Sequence, residues 1–302
     1  MRQFKTISEF HEFRRLPKPQ HPLISVVDVG AVPAFDTEEP TNLLFDFYAI
    51  SVKRMRNVKM KYGQQPFDFN EGIMSFMAPA QVFSMAVANK DEEIEKSGWV
   101  IYIHPDFIWN TPLAKTIGQY DFWDYALHEA LFLSAKEEAT VTNIILAIEQ
   151  ECSANIDRFS KQIIVAQLES LLGYADRFYQ RQFLTREKAN HQLLEQLEAL
   201  LHTYFNRSDL GELGLPTVHY LADCLHVSPK YLSNTLRVVT GQNTQQHIHA
   251  QLIAKAKEKL STTSLTVSEV AYELGFEHLQ SFSKLFKAKT NLSPIEFRAT
   301  FT

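Results

Sequence analysis

Histidine and cysteine are the side chains best suited to bind a metal or act as nucleophiles, and the chain has 11 of the first and two of the second. An iron-type site inside a small β-barrel needs about three histidines and a carboxylate that converge. His11 and His21 precede the strand-like part of the sequence, His104 follows it, and His128-Glu129 has no second histidine four residues later. No serine, cysteine and histidine pattern typical of nucleophilic catalysis is recognisable. The spacing therefore predicts that the protein is not an enzyme, has no metal site and needs no cofactor.

Length and composition limit the architecture. The 302 residues, 45% apolar and 22% charged, can bury a core and fit two domains better than one. No apolar run approaches the roughly 20 residues of a membrane span, and the start, MRQFKTISEF, lacks the apolar stretch of a secretory signal. Cys152 and Cys224 are far apart and lack metal-type spacing, which argues against a disulfide framework or a zinc finger. These features predict a cytoplasmic protein that does not bind a membrane.

The charge is unevenly distributed along the chain. Its total of −5 taken alone disfavours a nucleic-acid partner, because phosphate binding needs a basic surface. Up to Tyr204 there are 20 lysines and arginines against 27 acidic residues, whereas Phe205 to Thr302 has 10 against 8, with five histidines besides. The C-terminal part is therefore the better candidate for contact with a polyanion.

The segment from Leu215 to Gly241 predicts two short helices joined by a tight turn. Thr217 is suited to cap the first helix, and Ser228-Pro229 is a typical cap and first residue of the second. His226-Val227 forms the predicted turn, and Gly241 stands where a left-handed residue would end the second helix. The residues predicted to face inward are Val218, Leu221, Ala222, Leu225, Leu232 and Leu236. This is the pattern of a helix-turn-helix motif.

The segment from Ser264 to Pro294 repeats that pattern. Thr266 and Glu269 have the spacing of a capping box, and Gly275-Phe276 forms the predicted turn. The inward positions are Val267, Val270, Ala271, Leu274, Leu279, Phe282, Leu285 and Phe286. Between the copies, Thr244 to Leu260 predicts one continuous helix. Two recognition helices held rigidly about one duplex turn apart, roughly 34 Å, would fit two successive major grooves on one face of DNA.

Three features of the second copy identify a family. They are VSEVAYELGF, the spacing of Phe282 from Phe286-Lys287, and NLSPIEFR from Asn291 to Arg298. With these features the segment resembles the DNA-binding domain of the AraC/XylS family of bacterial transcription activators. At Asn291 the family usually has glycine. Asparagine is the next best residue for a left-handed conformation, so we expect the turn to be kept.

The resemblance implies that solvent-facing residues near the start of each recognition helix contact base edges. In the first copy these are Lys230, Ser233 and Asn234, and in the second they are His278, Gln280, Ser281 and Lys284. Each good pair, such as Gln with adenine or Lys with guanine, contributes about 1–3 kcal/mol of discrimination. The residues better suited to phosphate are Ser228, Arg237, Thr240, Lys287 and Lys289. An ordinary solvated surface is the alternative for any one of them, and the first copy, with fewer long polar side chains, is expected to read DNA shape more than sequence.

Short runs of β-branched and aromatic residues, broken by turn formers, extend to about Asn110 and predict an antiparallel barrel or sandwich. Such a small barrel invites comparison with cupins, and HPLISVVD, FNEGIMSFMAPAQVF, WVIYIHPDF and ADRFYQRQF are similar to the sensor domains that precede AraC-type DNA-binding domains. Core packing explains most of its aromatic residues, although some suit a ligand pocket: Phe45, Phe47, Tyr48, Phe67, Phe69, Phe76 and Phe83. The basic residues suit either an anionic effector or an exposed strand face: Lys53, Arg54, Arg56, Lys59 and Lys61.

From about Leu113 the pattern changes to helix. Apolar residues recur every three or four positions along one long predicted helix, with Asp157 suited to its first turn. The stripe consists of Ile156, Phe159, Ile163, Ile164, Gln167, Leu168, Leu171, Leu172, Ala175 and Phe178. It either packs on the barrel or pairs with the same helix of a second subunit. Residues 187–205 predict another amphipathic helix, and a polar linker follows it.

These patterns predict an α+β protein in three regions. Residues 1–112 form a cupin-like β-barrel sensor domain, residues 113–205 form a helical segment suited to dimerisation, and residues 206–302 form an all-α DNA-binding domain with two helix-turn-helix motifs.

The resemblance implies a sequence-specific transcription regulator of the bacterial cytoplasm, associated with the nucleoid when it is bound. Its partners would be double-stranded DNA, a second copy of the chain, a small-molecule effector in the barrel and, for activation, RNA polymerase. The sequence names neither the effector nor the residues that bind it. Two alternatives stay open: an enzyme that the C-terminal domain targets to DNA, and a constitutive regulator whose barrel is only a dimer scaffold.

Overall fold

The computed structural model describes residues 2–32, 41–55, 61–62, 65–66, 72–85, 96–126, 129–154 and 157–301. It divides into two compact units, Met1–Thr185 and Arg186–Thr302. Among the described residues, no helix combines the length and the apolar character needed to cross a membrane. Several residues singled out in the sequence lie outside the described ranges: Arg56, Lys59, Phe67, Phe69, His128 and Ile156.

In its described residues, the N-terminal unit contains the strands and five α-helices. It begins with β1 (Arg2–Phe4), α1 (Ile7–Phe13), β2 (Ile24–Asp28), β3 (Thr41–Phe45), β4 (Tyr48–Met55), β5 (Lys61–Tyr62), β6 (Gln65–Pro66), β7 (Gly72–Met77), β8 (Val82–Met85) and β9 (Lys96–Ile103). It continues with α2 (Pro105–Ile108), α3 (Leu113–Thr116), β10 (Leu131–Leu133), α4 (Ala135–Ser153) and α5 (Ser160–Thr185). The predicted change from strand to helix near Leu113 is therefore seen, apart from the short strand β10.

The described strands form open sheets. The largest has the order β10-β7-β4-β9-β2, a second has the order β1-β3-β8, and β5 pairs with β6 alone. Neighbours in the large sheet are antiparallel, whereas β1 and β3 run parallel. Strands β2 and β10 lie at opposite edges of the large sheet, and no pairing among the described strands joins them. The closed cupin-like barrel is therefore not confirmed, and the structure supports β-sheets followed by helices.

Side chains that alternate between the two faces of the strands build the core of this unit. Ile50 on β4 stands opposite Ile101 on β9, and both side chains are fully buried. Most of the described aromatic residues also pack in the interior: Phe45, Phe47 and Phe76 are buried, and the Tyr48 ring lies 4.9 Å from that of Trp123. The core-packing interpretation of these aromatic residues therefore accounts for their positions.

The long helix predicted to start near Asp157 is α5, and a separate helix, α4, precedes it. Helix α4 ends at Ser153, and α5 begins at Ser160, where Asp157 Oδ1 accepts hydrogen bonds from the backbone N–H groups of Phe159 and Ser160. The inner stripe of α5 is confirmed at Ile164, Leu168, Leu171, Leu172, Ala175 and Phe178, which are all buried. Phe159 and Ile163 are instead 49% and 45% exposed, so the buried stripe is narrower than predicted.

The C-terminal unit is entirely helical in its described residues. Its helices are α6 (Glu187–Phe205), α7 (Leu210–Leu213), α8 (Val218–Cys224), α9 (Pro229–Thr240), α10 (Thr244–Thr262), α11 (Val267–Glu273), α12 (Leu279–Thr290) and α13 (Pro294–Ala299). The division between the units falls at residue 185, whereas the sequence placed it at residue 205. The reason is that Leu197, Leu201, Tyr204 and Phe205 of α6 are buried in the same apolar cluster as the later helices.

Candidate nucleic-acid interface

The first predicted helix-turn-helix motif consists of α8 and α9. The hydroxyl of Thr217 accepts a hydrogen bond from the Tyr220 N–H (3.1 Å), and the hydroxyl of Ser228 accepts one from the Tyr231 N–H (3.2 Å). Gly241 ends α9 with a left-handed φ of 74°, as its position predicted. These caps satisfy backbone donors that the first turn of each helix would otherwise leave open. Local sequence therefore defines both ends of this recognition helix.

The second motif consists of α11 and α12 and uses a more complete cap. Thr266 and Glu269 form a capping box, in which the Glu269 carboxylate accepts from the Thr266 N–H at 2.6 Å. Gly275 makes the turn with φ 84°, and Asn291 ends α12 with φ 64°. The left-handed turn expected at Asn291 is therefore confirmed, with asparagine in the place of glycine.

Helix α10 joins the two motifs through a shared core. Its buried face consists of Ile248, Leu252, Ile253, Ala256 and Leu260, as the periodicity predicted, with Thr244 also buried. These residues belong to one continuous cluster with Leu232 and Leu236 of α9 and with Phe282 and Phe286 of α12. A packed core of this kind resists bending because side chains interdigitate at high density. The two recognition helices are therefore held by one common support.

The second copy presents its predicted contact residues to solvent. On and beside α12, the exposed members of the predicted set are His278, Gln280, Ser281, Lys284, Lys287 and Lys289. Only Phe282 and Phe286 of this helix are buried, so the opposite face is open along its length. The face opposite the buried rings offers the amide of Gln280, the hydroxyl of Ser281 and the ammonium groups of Lys284 and Lys287, which are groups that can bind base edges and phosphates.

The first copy presents fewer of its predicted residues. Lys230 and Arg237 are exposed, but Asn234 is only 9% exposed, and its side-chain oxygen accepts a hydrogen bond from Arg237 Nη1 at 3.2 Å. The hydroxyl of Ser233 lies 2.9 Å from that of Thr244 on α10. The prediction that Asn234 faces solvent is therefore wrong, and Ser233 is engaged inside the protein.

Two further predicted phosphate contacts in the first copy have structural roles. Ser228 caps α9, and Thr240 Oγ1 donates to the Leu236 carbonyl at 2.8 Å, accepts from the Gln242 N–H and lies 2.9 Å from His247 Nε2. The difference between the copies has a cause in packing. The 19-residue α6 packs along α9, whereas the six-residue α13 packs against α12, and α9 accordingly has five buried residues against two in α12.

Ion pairing separates the cations of this unit into two groups. Arg207 pairs with Asp209, Lys255 with Glu258 and Lys259 with Glu273, at N–O distances between 2.6 and 2.9 Å. Among the ion pairs of the described residues, none involves Lys284, Lys287 or Lys289 of α12. The ammonium groups of α12 are therefore available to an external anion.

The described residues contain no group of three or more His, Cys, Asp or Glu side chains that could hold a metal ion.

Sequence reasoning missed the contribution of α6 to this region. The signal was present in Leu193, Leu194, Leu197, Leu200 and Leu201, which recur at three and four along one face. Such a face needs a partner, but its spacing alone does not say on which side of the chain that partner lies. In the structure, α6 packs against α9 and α10.

Similarity to known proteins is concentrated in this same region. A family described as a helix-turn-helix domain matches residues 221–300. The arabinose operon regulatory protein of Escherichia coli (strain K12) is 38% identical over 73 residues, which are 24% of this chain and 25% of that protein. The transcriptional activator RhaR of Enterobacter sp. (strain 638) is 28% identical over 168 residues, which are 55% of this chain and 56% of that protein.

Among solved structures, the C-terminal domain of the two-component response regulator yesN from Fusobacterium nucleatum is 27% identical and has a TM-score of 0.31, covering 34% of this chain and 95% of that one. Matches to three other relatives cover 43%, 57% and 35% of their lengths, so the chain spans about half or less of these curated relatives. The matched segment coincides with the two helix-turn-helix motifs described above. Residues 221–300 of this chain are therefore a helix-turn-helix domain of the AraC type.

Proposed function

We propose that this protein is a sequence-specific DNA-binding transcription regulator that inserts α9 and α12 into two successive major grooves. The observation that carries the proposal is the exposed face of α12, where Gln280, Lys284 and Lys287 stand on a helix with only two buried residues. Relatives that share the domain are named transcription regulators and activators. A spacing of about one duplex turn between the recognition helices, roughly 34 Å, is part of this proposal.

The two helices would divide the recognition of DNA. Helix α12 offers Gln280, Ser281 and Lys284 for base edges and Lys287 and Lys289 for phosphates. Helix α9 offers Lys230 and Arg237, while Asn234 is turned inward. A helix with two accessible cations contributes mainly sequence-independent phosphate attraction. The second copy therefore supplies most of the base readout, and the first supplies position and shape readout.

The N-terminal unit would supply dimerisation and regulation. Ile163 and Tyr174 of α5 and Phe159, directly before its first residue, are each at least one-third exposed, and apolar side chains along one helix suit pairing with a second copy of the chain. An effector bound to the cupin-like sheets would shift the population of dimer arrangements only if it binds one arrangement more tightly. Activation through RNA polymerase and action in the bacterial cytoplasm follow from the resemblance to the AraC/XylS family, and RhaR is named a transcriptional activator.

The test uses DNA fragments selected from a random library by the full-length protein. Replacing Gln280 with Ala should remove the preference at one or two base pairs, a loss of about 1–3 kcal/mol in discrimination. Lys287→Ala should weaken binding to all sequences alike and lower the slope of log K against log[salt] by about 1.

The matched control for the lysine is Lys188→Ala, which removes an exposed charge from α6 rather than from a recognition helix. Binding by this variant should stay within twofold of the parent protein. If both recognition-helix variants select and bind the same sites as the parent protein, the assignment of α12 to the major groove is wrong.

A further inference from the structure

A cleft lies on the outer edge of the large sheet, between strand β2, the segment Leu16–His21 and the C-terminal half of α4. Its larger lobe has a volume of about 210 Å³ and a neighbouring lobe about 120 Å³, and both are lined by His21 and Cys152. The smaller lobe reaches the start of α5 at Ser160 and Lys161. Small-molecule sites usually measure about 300–1,000 Å³, so an occupant of these lobes would be small.

Hydrogen bonding at the wall of the larger lobe favours a donor from the ligand. His11 is 4% exposed, and its Nδ1 lies 2.6 Å from the Pro17 carbonyl, which can only accept, so Nδ1 carries the proton. Burial lowers the pKa of His11, so the ring is neutral at pH 7 and Nε2 is an acceptor. The Ser25 hydroxyl, 3.1 Å from Nε2 and 6% exposed, therefore donates its proton to His11. The Ser25 oxygen can therefore only accept a hydrogen bond from a ligand.

The charges around the cleft favour a cation. Burial also lowers the pKa of His21, and the nearby Lys161 lowers it further, so this ring adds no charge at pH 7. Two lysines line the lobes, and the ammonium of Lys161 donates to the Trp109 carbonyl at 3.0 Å. The acidic residues that line the lobes are Asp28, Asp106, Glu149, Glu151 and Asp157. The larger lobe has the carboxylates of Asp28 and Glu149 against the ammonium group of Lys18, and the two lobes together have five carboxylates against two ammonium groups, so the lining of the cleft has a net negative charge.

We propose that this cleft binds a small organic amine, with its ammonium group in the larger lobe near Ser25 and Glu149 and its apolar part against Ile24, Pro17 and Leu16. An ammonium carries three donors and no acceptor, which matches the carboxylates of Asp28 and Glu149 and a Ser25 hydroxyl that can only accept. The Glu149 carboxylate accepts the Ser153 hydroxyl at 2.9 Å through Oε1 and keeps acceptor capacity on its second oxygen.

The position of the cleft gives such a ligand a means of control. Both lobes are bounded by the last turns of α4, and the smaller lobe also by the first turn of α5, so an occupant of the larger lobe contacts the end of the helix that precedes α5. Helix α5 carries the exposed Ile163, and the exposed Phe159 directly precedes it. The regulatory role, unlike the binding itself, rests on the proposed function, in which α5 pairs with a second copy of the chain.

The test is calorimetric titration of the full-length protein, without DNA, with isopentylamine as the probe. Isopentyl alcohol and isovalerate serve as neutral and anionic probes of similar shape. The amine should bind at least tenfold more tightly than either. Glu149→Gln, which keeps an acceptor for Ser153, should weaken amine binding at least tenfold, whereas Glu169→Gln, the same charge change on the exposed face of α5, should change it less than twofold.

A second measurement uses the cysteines. Cys152 lines both lobes and Cys224 is exposed in the other unit, so the amine should slow alkylation of Cys152 several-fold and leave Cys224 unchanged. Burial raises the pKa of Cys152 to about 11, and the reaction is therefore run at pH 9. Equal affinity for the three probes, or equal effects of the two glutamine variants, would overturn the proposal. Selective DNA binding measured separately would then still support the proposed function.

Discussion

The two helix-turn-helix copies share their local sequence devices and differ in what surrounds them. Each begins its first helix at a capping threonine and ends its recognition helix at a left-handed residue, Gly241 or Asn291. At the turn itself the second copy has Gly275 with φ 84°, whereas the first has His226 with φ 55°. The recognition helices have five and two buried residues respectively. Duplication therefore conserves the turn geometry, while packing decides how much of each helix can reach DNA.

The largest effect is expected from removing a buried ring of the second copy. Phe286 is fully buried in the cluster that also contains Leu236 of the first copy. Phe286→Ala should lower the free energy of unfolding by about 3–5 kcal/mol and Leu236→Ala by about 2–5 kcal/mol, because each leaves a cavity. If the copies share one core, each variant should shift a single calorimetric transition of the C-terminal unit. Two transitions, with only one moved by each substitution, would contradict a common core.

The turns should respond differently to a side chain. A Cβ on Gly275 would lie 2.9 Å from the backbone of Gly214 and 3.1 Å from the Leu210 carbonyl oxygen, and φ is positive there. Gly275→Ala should therefore destabilise the unit by more than about 2 kcal/mol, from left-handed strain together with overpacking. His226→Gly is the matched change, because the first copy already holds a side chain at this conformation, and it should shift stability by less than about 1 kcal/mol. Urea denaturation measures the free energy of unfolding of both variants. Equal losses in the two variants would contradict the prediction that the two turns differ in their tolerance of a side chain.

The recognition helices should separate stability from specificity. Asn234→Ala removes the acceptor of Arg237 and should cost about 0.5–1.5 kcal/mol of stability while leaving the selected DNA sequence unchanged. Gln280→Ala should change the selected DNA sequence and leave the stability unchanged, because the Gln280 side chain is exposed. Selection from a random DNA library and thermal unfolding measure the two properties on the same variants. A changed base preference in the Asn234→Ala variant would show that Asn234 contributes to DNA recognition and would contradict this prediction.

The smallest expected effect is a difference in acid sensitivity between the caps. Hydrogen bonds from Thr266 lower the pKa of Glu269, whereas Tyr220 occupies the equivalent position of the first copy and has no carboxylate. A carboxylate with a lowered pKa stabilises the fold above its unfolded pKa of about 4.3, and this stability is lost as the pH falls through the folded value. The protection factors of the amides at the start of α11, measured against the intrinsic exchange rate at each pH, should therefore fall below about pH 4.3, and Glu269→Gln should remove that dependence. The start of α8 serves as the internal control.

Sequence reasoning predicted the features that depend on neighbours a few residues away. The caps at Thr217, Ser228 and Thr266 and the left-handed Asn291 all have the geometry that their residue types indicated. It did not predict the burial of Asn234 or the exposure of Phe159 and Ile163. The side of a helix that becomes covered depends on elements that are distant in sequence, and period alone does not identify them.

The sequence by itself therefore determined two helix-turn-helix motifs, the helix between them and the polar residues of α12, because capping and turn formation act within three or four residues of the chain. The tertiary structure decided that α6 belongs to the C-terminal unit and packs on α9, that Asn234 of α9 is buried, and that the described N-terminal strands form open sheets. Burial is a property of pairs of surfaces, so only the folded chain assigns it, and here burial makes two similar recognition helices unequal.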